Sequence, residues 1–187
     1  MKILFEDKDI IVCVKPEGII SQSESSNEKT MVSLLKEGTG GEIFPVHRLD
    51  KQTAGLMVFA KTKSAAAFLS NEIANGNFKK EYLALIHGDP EDRNGVFRDL
   101  LFKDSSKNKS YVVRRERKGV KKASLEYELI NSFCIENEEF SIVKVLLHTG
   151  RTHQIRVQFA SRKMPLVGDR KYGAQDSFEG LGLWSYS

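Results

Sequence analysis

The sequence predicts an α+β fold with a mixed, largely antiparallel central sheet flanked by helices and loops. Six short runs are rich in β-forming residues and are bounded by turn residues, whereas only three segments show helical signals. The 187 residues suit a single domain, which we expect to span the whole chain and to bury roughly 70% of its unfolded surface.

Each predicted strand is an apolar or alternating run between Gly, Pro or polar residues. The predicted strands cover residues 3–5, 10–14, 56–60, 80–87, 123–130 and 140–148. Lys15-Pro16-Glu17-Gly18 predicts a turn after the second strand, and Gly150 breaks the last one.

The three predicted helices are located by their caps. Thr30 is expected to cap a helix that runs to residue 36 and ends at the glycines that follow. Ser64 is expected to cap a second helix, whose apolar side includes Phe68 and which Gly76 closes. Residues 152–160 form the third, and the polar residues 21–29 are predicted to be a mobile loop.

Composition and charge narrow the classes of function. Lys and Arg number 29 against 25 for Asp and Glu, so the net charge of +4 permits a polyanionic partner without requiring one. No apolar run approaches the ~20 residues that cross a bilayer, and the early acidic residues argue against a signal peptide. We therefore expect a cytoplasmic protein that makes no membrane contact.

Cysteine and histidine usage gives little support to a metal site. Cys13 and Cys134 both lie in apolar surroundings and are interpreted as free buried thiols, although the sequence leaves a disulfide between them open. The four histidines lack the spacing of a metal site.

The most informative carboxylate is Asp50, in the segment His47-Arg48-Leu49-Asp50-Lys51. Neighbouring cations favour the ionised form of a carboxylate, and an ionised, accessible carboxylate can act as a nucleophile. A surface salt bridge in a loop explains the same residues equally well, so this segment alone leaves both interpretations open.

A second segment, Gly150-Arg151-Thr152-His153-Gln154-Ile155-Arg156, places three basic residues where a predicted strand ends and a predicted helix begins. Such a turn favours an anion, which is either a phosphate or a carboxylate from elsewhere in the chain. The alternative is that Arg156 extends into solvent.

Two further features suit RNA but have ordinary structural explanations. Tyr82, in Lys80-Glu81-Tyr82, is either a packing residue or a platform on which a base stacks. A cationic stretch opposed only by Glu116 is either a solvated hairpin or an arm that follows phosphates. Its cations are Lys107, Lys109, Arg114, Arg115, Arg117, Lys118, Lys121 and Lys122.

Five segments together resemble the RluA family of pseudouridine synthases, over residues 10–173. They are the turn at Lys15, the segments that contain Asp50, Tyr82 and Arg156, and the segment from Pro165 to Gly173. The resemblance implies an RNA uridine isomerase with the pseudouridine synthase catalytic fold. Such enzymes detach uracil from its ribose, rotate it and rejoin it through C5 instead of N1. An isomerisation needs no cofactor or metal. The implied partner is structured ribosomal or transfer RNA, and we expect a monomer without an obligate protein partner.

The resemblance also assigns site residues. It places the catalytic aspartate at Asp50, a tyrosine at Tyr82 and a basic residue, expected beside the aspartate, at Arg156. Whether the aspartate attacks C1′ or removes a proton to give a glycal stays open. Ile155 corresponds to an apolar residue near the base, and the residues expected to contact RNA are Arg48, Lys51, Arg151 and His153.

The sequence departs from the family pattern in a few places. Val14 stands where Asn is usual and Gln158 where His is common, and the last strand is expected to be shortened. We expect no S4-like RNA-binding module before the catalytic region, so residues 103–122 are expected to carry specificity. The alternatives are a non-catalytic RNA-binding protein and a glycoside hydrolase, which usually needs two carboxylates.

Overall fold

The structure, a computed structural model, describes residues 2–23 and 28–187 and divides into two compact units. Unit 1 comprises Met1–Lys79 and Trp184–Ser187, and unit 2 comprises Lys80–Leu183. The middle of the predicted mobile loop, residues 24–27, lies outside the described residues.

Unit 1 is built on a small mixed sheet. Its strands are β1 (Lys2–Glu6), β2 (Ile10–Lys15), β3 (Phe44–Pro45), β4 (Ala54–Ala60) and part of β10 (Leu183–Ser185). β2 lies between β1 and β4, and these pairings and that of β3 with β4 are antiparallel. Trp184 and Ser185 of β10 pair with the start of β4 in the parallel sense. One face of β2 and β4 is fully buried and supplies the core of this unit.

The first helix, α1, spans Met31–Thr39. The predicted cap is confirmed, because the Thr30 side chain accepts a hydrogen bond from the backbone N–H of Ser33, and the Ser33 side chain accepts one from the backbone N–H of Thr30. The helix continues through Gly38 and ends at Gly40, which adopts the left-handed conformation with φ 68°.

The second helix, α2, spans Lys63–Ala74, and its predicted cap was wrong. Thr62 caps it instead of Ser64, since Thr62 is extended and its hydroxyl accepts a hydrogen bond from the backbone N–H of Ala65. The apolar side was also wrong in part, because no α2 residue is fully buried and Phe68 is 65% exposed.

Unit 2 contains a five-stranded antiparallel sheet in the order β5-β9-β8-β6-β7. Its strands are β5 (Glu81–His87), β6 (Asn94–Asp104), β7 (Lys109–Val113), β8 (Val120–Ile135) and β9 (Glu138–Leu147). The sequence did not predict β6, whose charged residues interrupt the apolar alternation, or β7, which is short and lies within the cationic stretch. Glu136 and Asn137, both with positive φ, make the turn from β8 to β9.

The third helix, α3, is short and spans Gln154–Ala160, with a single turn of 3₁₀ helix at Arg170–Tyr172 further along. It begins two residues later than predicted. All of its residues except Ala160 are buried, and Phe159 packs against the rings of Phe97 and Tyr127 with centroids 5.0 and 5.8 Å away. Helix α3 is therefore held by the core of unit 2.

The α+β prediction with a mixed, largely antiparallel sheet is confirmed, but one cysteine prediction was wrong. Both thiols are free and Cys13 is buried, whereas Cys134 is exposed near the turn between β8 and β9. Within residues 2–23 and 28–187, no helix has the length and apolar character needed to cross a membrane.

A substitution at Gly55, at the start of β4, tests how closely β4 and β10 pack in unit 1. Its φ is 122°, and a Cβ atom there would collide with the backbone of Ser185 in β10. We expect Gly55→Ala to lower the free energy of unfolding by at least about 2 kcal/mol, because backbone strain adds to the steric clash. Urea denaturation measures this change.

The matched control is Gly38→Ala in α1, where a Cβ would meet no atom within 4 Å. Because alanine favours a helix over glycine, this variant should be neutral or stabilised by up to about 1 kcal/mol. Equal stability of the two variants would contradict the proposed contact between β4 and β10.

Candidate active site

The Asp50 loop, residues 47–53, connects β3 to β4 in unit 1. Asp50 is half-buried, and its carbonyl accepts a hydrogen bond from the backbone N–H of Thr53 at 3.0 Å, which closes a turn. Arg48 and Lys51 on either side are exposed. The loop therefore places one carboxylate between two cations that solvent can reach.

Two buried contacts fix the first half of this loop. The Ser21 hydroxyl donates to the carbonyl of Leu49 and accepts from its backbone N–H, both at 3.0 Å. The Nε2 atom of His47 accepts from the backbone N–H of Val58 in β4 at 3.1 Å. The residues on the N-terminal side of Asp50 are thus tied to the core of unit 1.

Lys15 fixes the second half of the loop from the end of β2. Its side chain is completely buried, and its ammonium donates to the carbonyls of Pro16, Ile19 and Lys51 at 2.9, 2.6 and 3.1 Å. The Lys51 carbonyl also accepts from the backbone N–H of Gly18 at 2.9 Å. The ammonium has three donors, so these three carbonyls satisfy it completely.

Lys15 also brings a buried positive charge to the Asp50 loop. Burial lowers the pKa of its amine to about 8, and the carboxylates of Asp50 and Glu17 partly oppose this shift. Sequence reasoning missed this role and treated residues 15–18 only as a turn. The available signal was a lysine at the end of an apolar strand, directly before a proline.

In unit 2, Arg156 of α3 forms a buried ion pair with Asp169. Its Nε and Nη2 atoms donate to Oδ2 and Oδ1 of Asp169, each at 2.7 Å, and only 2% of the arginine is exposed. This two-point geometry fixes the plane of the guanidinium. Because both charges are removed from water, loss of either partner typically costs about 3–5 kcal/mol.

This pair settles one of the alternatives that the sequence left open, because Arg156 binds a carboxylate of the same chain and does not extend into solvent. An anion bound by the rest of the turn before α3 stays a prediction. The segment that contains Asp169 contributed to the family resemblance, but the sequence predicted no role for Asp169 itself. An acidic residue directly after a glycine, at the end of the apolar run Pro165-Leu166-Val167, was the available signal.

The residues before α3 are held by side chains of the same segment. The Oε1 atom of Gln154 accepts from the Thr149 hydroxyl and from the backbone N–H of Arg151, and its amide donates to the carbonyl of Ser124. The Nε of Arg151 donates to the carbonyl of Lys122 at 3.0 Å. Arg151 therefore lies beside the first residues of strand β8.

His153 precedes α3 in the left-handed conformation, with φ 52°. It is 7% exposed, and its Nδ1 lies 2.9 Å from the hydroxyl of Tyr172. The same hydroxyl accepts from the backbone N–H of Ser110 in β7 at 2.8 Å. Burial raises the pKa of Tyr172, so its hydroxyl stays protonated at neutral pH.

Tyr82 and Ile155 are both buried in unit 2. Tyr82 is 7% exposed and lies on the same face of β5 as the buried Ala84 and Ile86. Ile155 is buried in α3. Burial lowers the pKa of Lys80, whose ammonium lies close to Gly150. The stacking of a base on Tyr82 stays a prediction, as does the pairing of Asp50 with Arg156.

The basic hairpin, residues 103–122, comprises the end of β6, β7 and the start of β8. Most of its cations are exposed, and Lys109 is half-buried with its ammonium 5.0 Å from the ring centroid of Tyr172. Arg117 lies over the ring of Phe102 at 4.8 Å. Lys122 forms an exposed ion pair with Glu116 at 3.4 Å. The hairpin therefore presents a cationic surface.

Comparison with known proteins gives one consistent family. The profile of a family described as RNA pseudouridylate synthase matches residues 9–161. An uncharacterized RNA pseudouridine synthase of Aquifex aeolicus is 37% identical over 186 residues, which are 95% of this chain and 57% of that protein. The ribosomal large subunit pseudouridine synthase D of Borreliella burgdorferi is 34% identical over 185 residues, 93% of this chain and 55% of that protein. The chain thus spans a little over half the length of these relatives.

Solved structures agree on the fold. The human RNA pseudouridylate synthase domain containing 1 superposes with a TM-score of 0.82 at 22% identity, covering 98% of this chain and 76% of the human chain. The human domain containing 4 gives a TM-score of 0.78 at 23% identity, covering 98% and 82%. At these identities the likeness shows the fold.

Lys15 generates a prediction on the pH dependence of stability. The pKa of its amine is about 8 in the folded protein and 10.5 in the unfolded chain. Between these pH values the unfolded chain binds more protons than the folded protein, so the free energy of unfolding rises with pH. In Lys15→Met this contribution is absent. The stability advantage of the wild type over Lys15→Met should therefore increase from pH 7.5 to pH 9.5.

Urea denaturation of both proteins at the two pH values measures this difference. The exposed Lys63→Met in α2 is the matched control, and its difference from the wild type should not change with pH. A difference for Lys15→Met that stays constant or shrinks would contradict the lowered pKa.

Proposed function

Because the chain belongs to the RNA pseudouridylate synthase family, we propose that it isomerises uridine in RNA to pseudouridine. The C1′–N1 bond breaks, a C1′–C5 bond forms, and the proton lost from C5 is balanced by one gained at N1. No oxidant, reductant or group donor is needed. The observation that carries the proposal is Asp50, an acidic side chain in a loop held rigid by buried contacts inside the matched region.

Asp50 is assigned as the catalytic carboxylate. Ser21 and Lys15 hold the backbone on both sides of it, so its side chain starts from a fixed position. The buried ammonium of Lys15 and the exposed cations of Arg48 and Lys51 favour the ionised carboxylate. An ionised carboxylate is required both for attack on C1′ and for removal of a proton.

Arg156, Tyr82 and Ile155 are assigned to the same reaction. Arg156 is the proposed basic partner of Asp50, and its bidentate pair with Asp169 supports this role by fixing the orientation of the guanidinium. Tyr82 is proposed to stack on the flipped uracil, which returns roughly 1–3 kcal/mol of the cost of unstacking. Ile155 is proposed to exclude water near the base.

RNA is the proposed partner, and the basic hairpin is its proposed contact together with Arg48, Lys51, Arg151 and His153. Exposed cations on one arm release counterions when they meet a phosphate backbone. Ribosomal RNA is the first candidate substrate, because a 34% identical relative is named as a ribosomal large subunit enzyme, and transfer RNA is the second. We also propose that both units form one catalytic domain that acts as a monomer in the cytoplasm.

A non-catalytic RNA-binding protein is the second candidate. The exposed cations of the basic hairpin favour it, because they would bind RNA whether or not Asp50 acts. The two functions differ in their product, since only an enzyme converts uridine. Mapping pseudouridine across the transcriptome with and without the protein identifies both the activity and the target.

Asp50→Asn separates the two functions. We expect it to abolish pseudouridine formation while RNA binding changes less than about twofold, because the amide keeps the shape of the side chain and loses its charge. The assay measures pseudouridine in the RNA that the mapping identifies. The control is Asp9→Asn, at a partly exposed residue directly before β2, in the part of unit 1 away from the Asp50 loop in sequence. Full turnover by Asp50→Asn would end the assignment.

Neutralising cations of the basic hairpin tests its proposed role in binding RNA. We expect Arg114→Gln with Lys118→Gln to weaken binding and to reduce the slope of log affinity against log salt by about 0.7–0.9 for each phosphate that these cations neutralise in the wild type. Lys8→Gln with Lys63→Gln removes the same charge from exposed positions of unit 1. Equal slopes for the two double variants would remove the basic hairpin from the proposed interface.

A further inference from the structure

Tyr172 lies where three segments of unit 2 meet. Its hydroxyl accepts from the backbone N–H of Ser110 in β7 and lies 2.9 Å from Nδ1 of His153, which precedes α3. Its ring lies beneath Arg156, with 5.2 Å between the guanidinium carbon and the ring centroid. One side chain thus contacts the basic hairpin, the start of α3 and the buried arginine.

One hydrogen bond at this hydroxyl has a fixed direction. The backbone N–H of Ser110 can only donate, so the oxygen of Tyr172 accepts there. The direction of the bond to Nδ1 of His153 depends on the tautomer of the histidine. When the proton of Tyr172 is directed to Nδ1, His153 accepts there and carries its own proton at Nε2.

The backbone of His153 needs this support. A non-glycine residue with positive φ costs of order 1–3 kcal/mol, and the His153 side chain makes no capping hydrogen bond to α3. Ser110 adds a second hydrogen bond to this segment, because its hydroxyl donates to the carbonyl of Thr152 at 2.6 Å. Strand β7 therefore constrains the two residues that come directly before α3.

Arg156 is held by the same turn. The carbonyl of Asp169 accepts from the backbone N–H groups of Tyr172 and Ala174, so the carboxylate that binds Arg156 and the ring beneath it belong to one rigid turn. A cation over an aromatic face adds of order 0.5–2 kcal/mol. The position of the guanidinium thus depends on where this turn sits against β7 and α3.

We propose that Tyr172 is a positioning residue whose hydroxyl donates to Nδ1 of His153 and so orients that side chain. Because the hydroxyl also ties the turn from Asp169 to Tyr172 to β7, it fixes the place of Arg156 indirectly and links the basic hairpin to α3. The proposal rests on the proposed function, in which Arg156 takes part in the isomerisation. Tyr172 acts through these residues and is not itself assigned to the chemistry.

Tyr172→Phe is the test, because it removes the hydroxyl and keeps the ring. We expect kcat for pseudouridine formation to fall about tenfold or more while KM changes less than twofold, since a small displacement of a catalytic group costs rate more than binding. In nitrogen-15 NMR spectra, the Nε2-protonated tautomer of His153 should give way to a mixture.

The matched control is Tyr127→Phe. Tyr127 is buried in the same unit, and its hydroxyl donates to the carbonyl of Asp92 at 3.3 Å. The control should lose a similar free energy of unfolding but keep the wild-type kcat and the His153 tautomer. A merely structural Tyr172 would behave as this control does.

The outcomes separate the two proposals. If the wild type forms pseudouridine and Tyr172→Phe keeps the wild-type kcat or the wild-type tautomer, the positioning role is overturned and the proposed function stands. If the wild type forms no pseudouridine in any RNA, the proposed function falls and the positioning role falls with it.

Discussion

The buried ion pair between Arg156 and Asp169 is the interaction on which the candidate site in unit 2 depends. A guanidinium that is 2% exposed is tolerated only because a carboxylate meets it at two points. The pair contributes orientation more than stability, since an apolar pair of similar volume would fill the same space.

Unit 1 also contains a buried cation, Lys15, but backbone carbonyls stabilise it instead of a carboxylate. Lys15 is as deeply buried as Arg156, but three carbonyls surround its ammonium where Arg156 has a carboxylate. Carbonyl oxygens satisfy the donors without cancelling the charge, so the positive charge still acts on the Asp50 loop, although burial lowers the amine pKa to about 8. A single residue thus joins the turn after β2 to the loop that carries the candidate carboxylate.

Parts of the fold and of the candidate site could be predicted because each depends on one short segment of the sequence. The cap at Thr30 and the strand that contains Tyr82 follow from local patterns that no distant contact overrides. The cap of α2 was misplaced by two residues because Thr62 and Ser64 are equally good caps, and only the extended backbone of Thr62 selects it. Strand β6 was missed because its charged residues break the alternation that identifies a strand, and β7 was missed because it is only five residues long and lies among many cations.

The sequence by itself determined the α+β class, the carboxylate at Asp50 and the basic turn before α3, since periodicity, turn residues and motif order are local properties. Only the tertiary structure decided that Asp169 binds Arg156, that Lys15 supports the Asp50 loop and that Tyr172 contacts His153. These partners are separated by 13, 36 and 19 positions in the chain. Which of several polar residues meets a buried charge is set by the packing of strands and helices, and no local pattern records that packing.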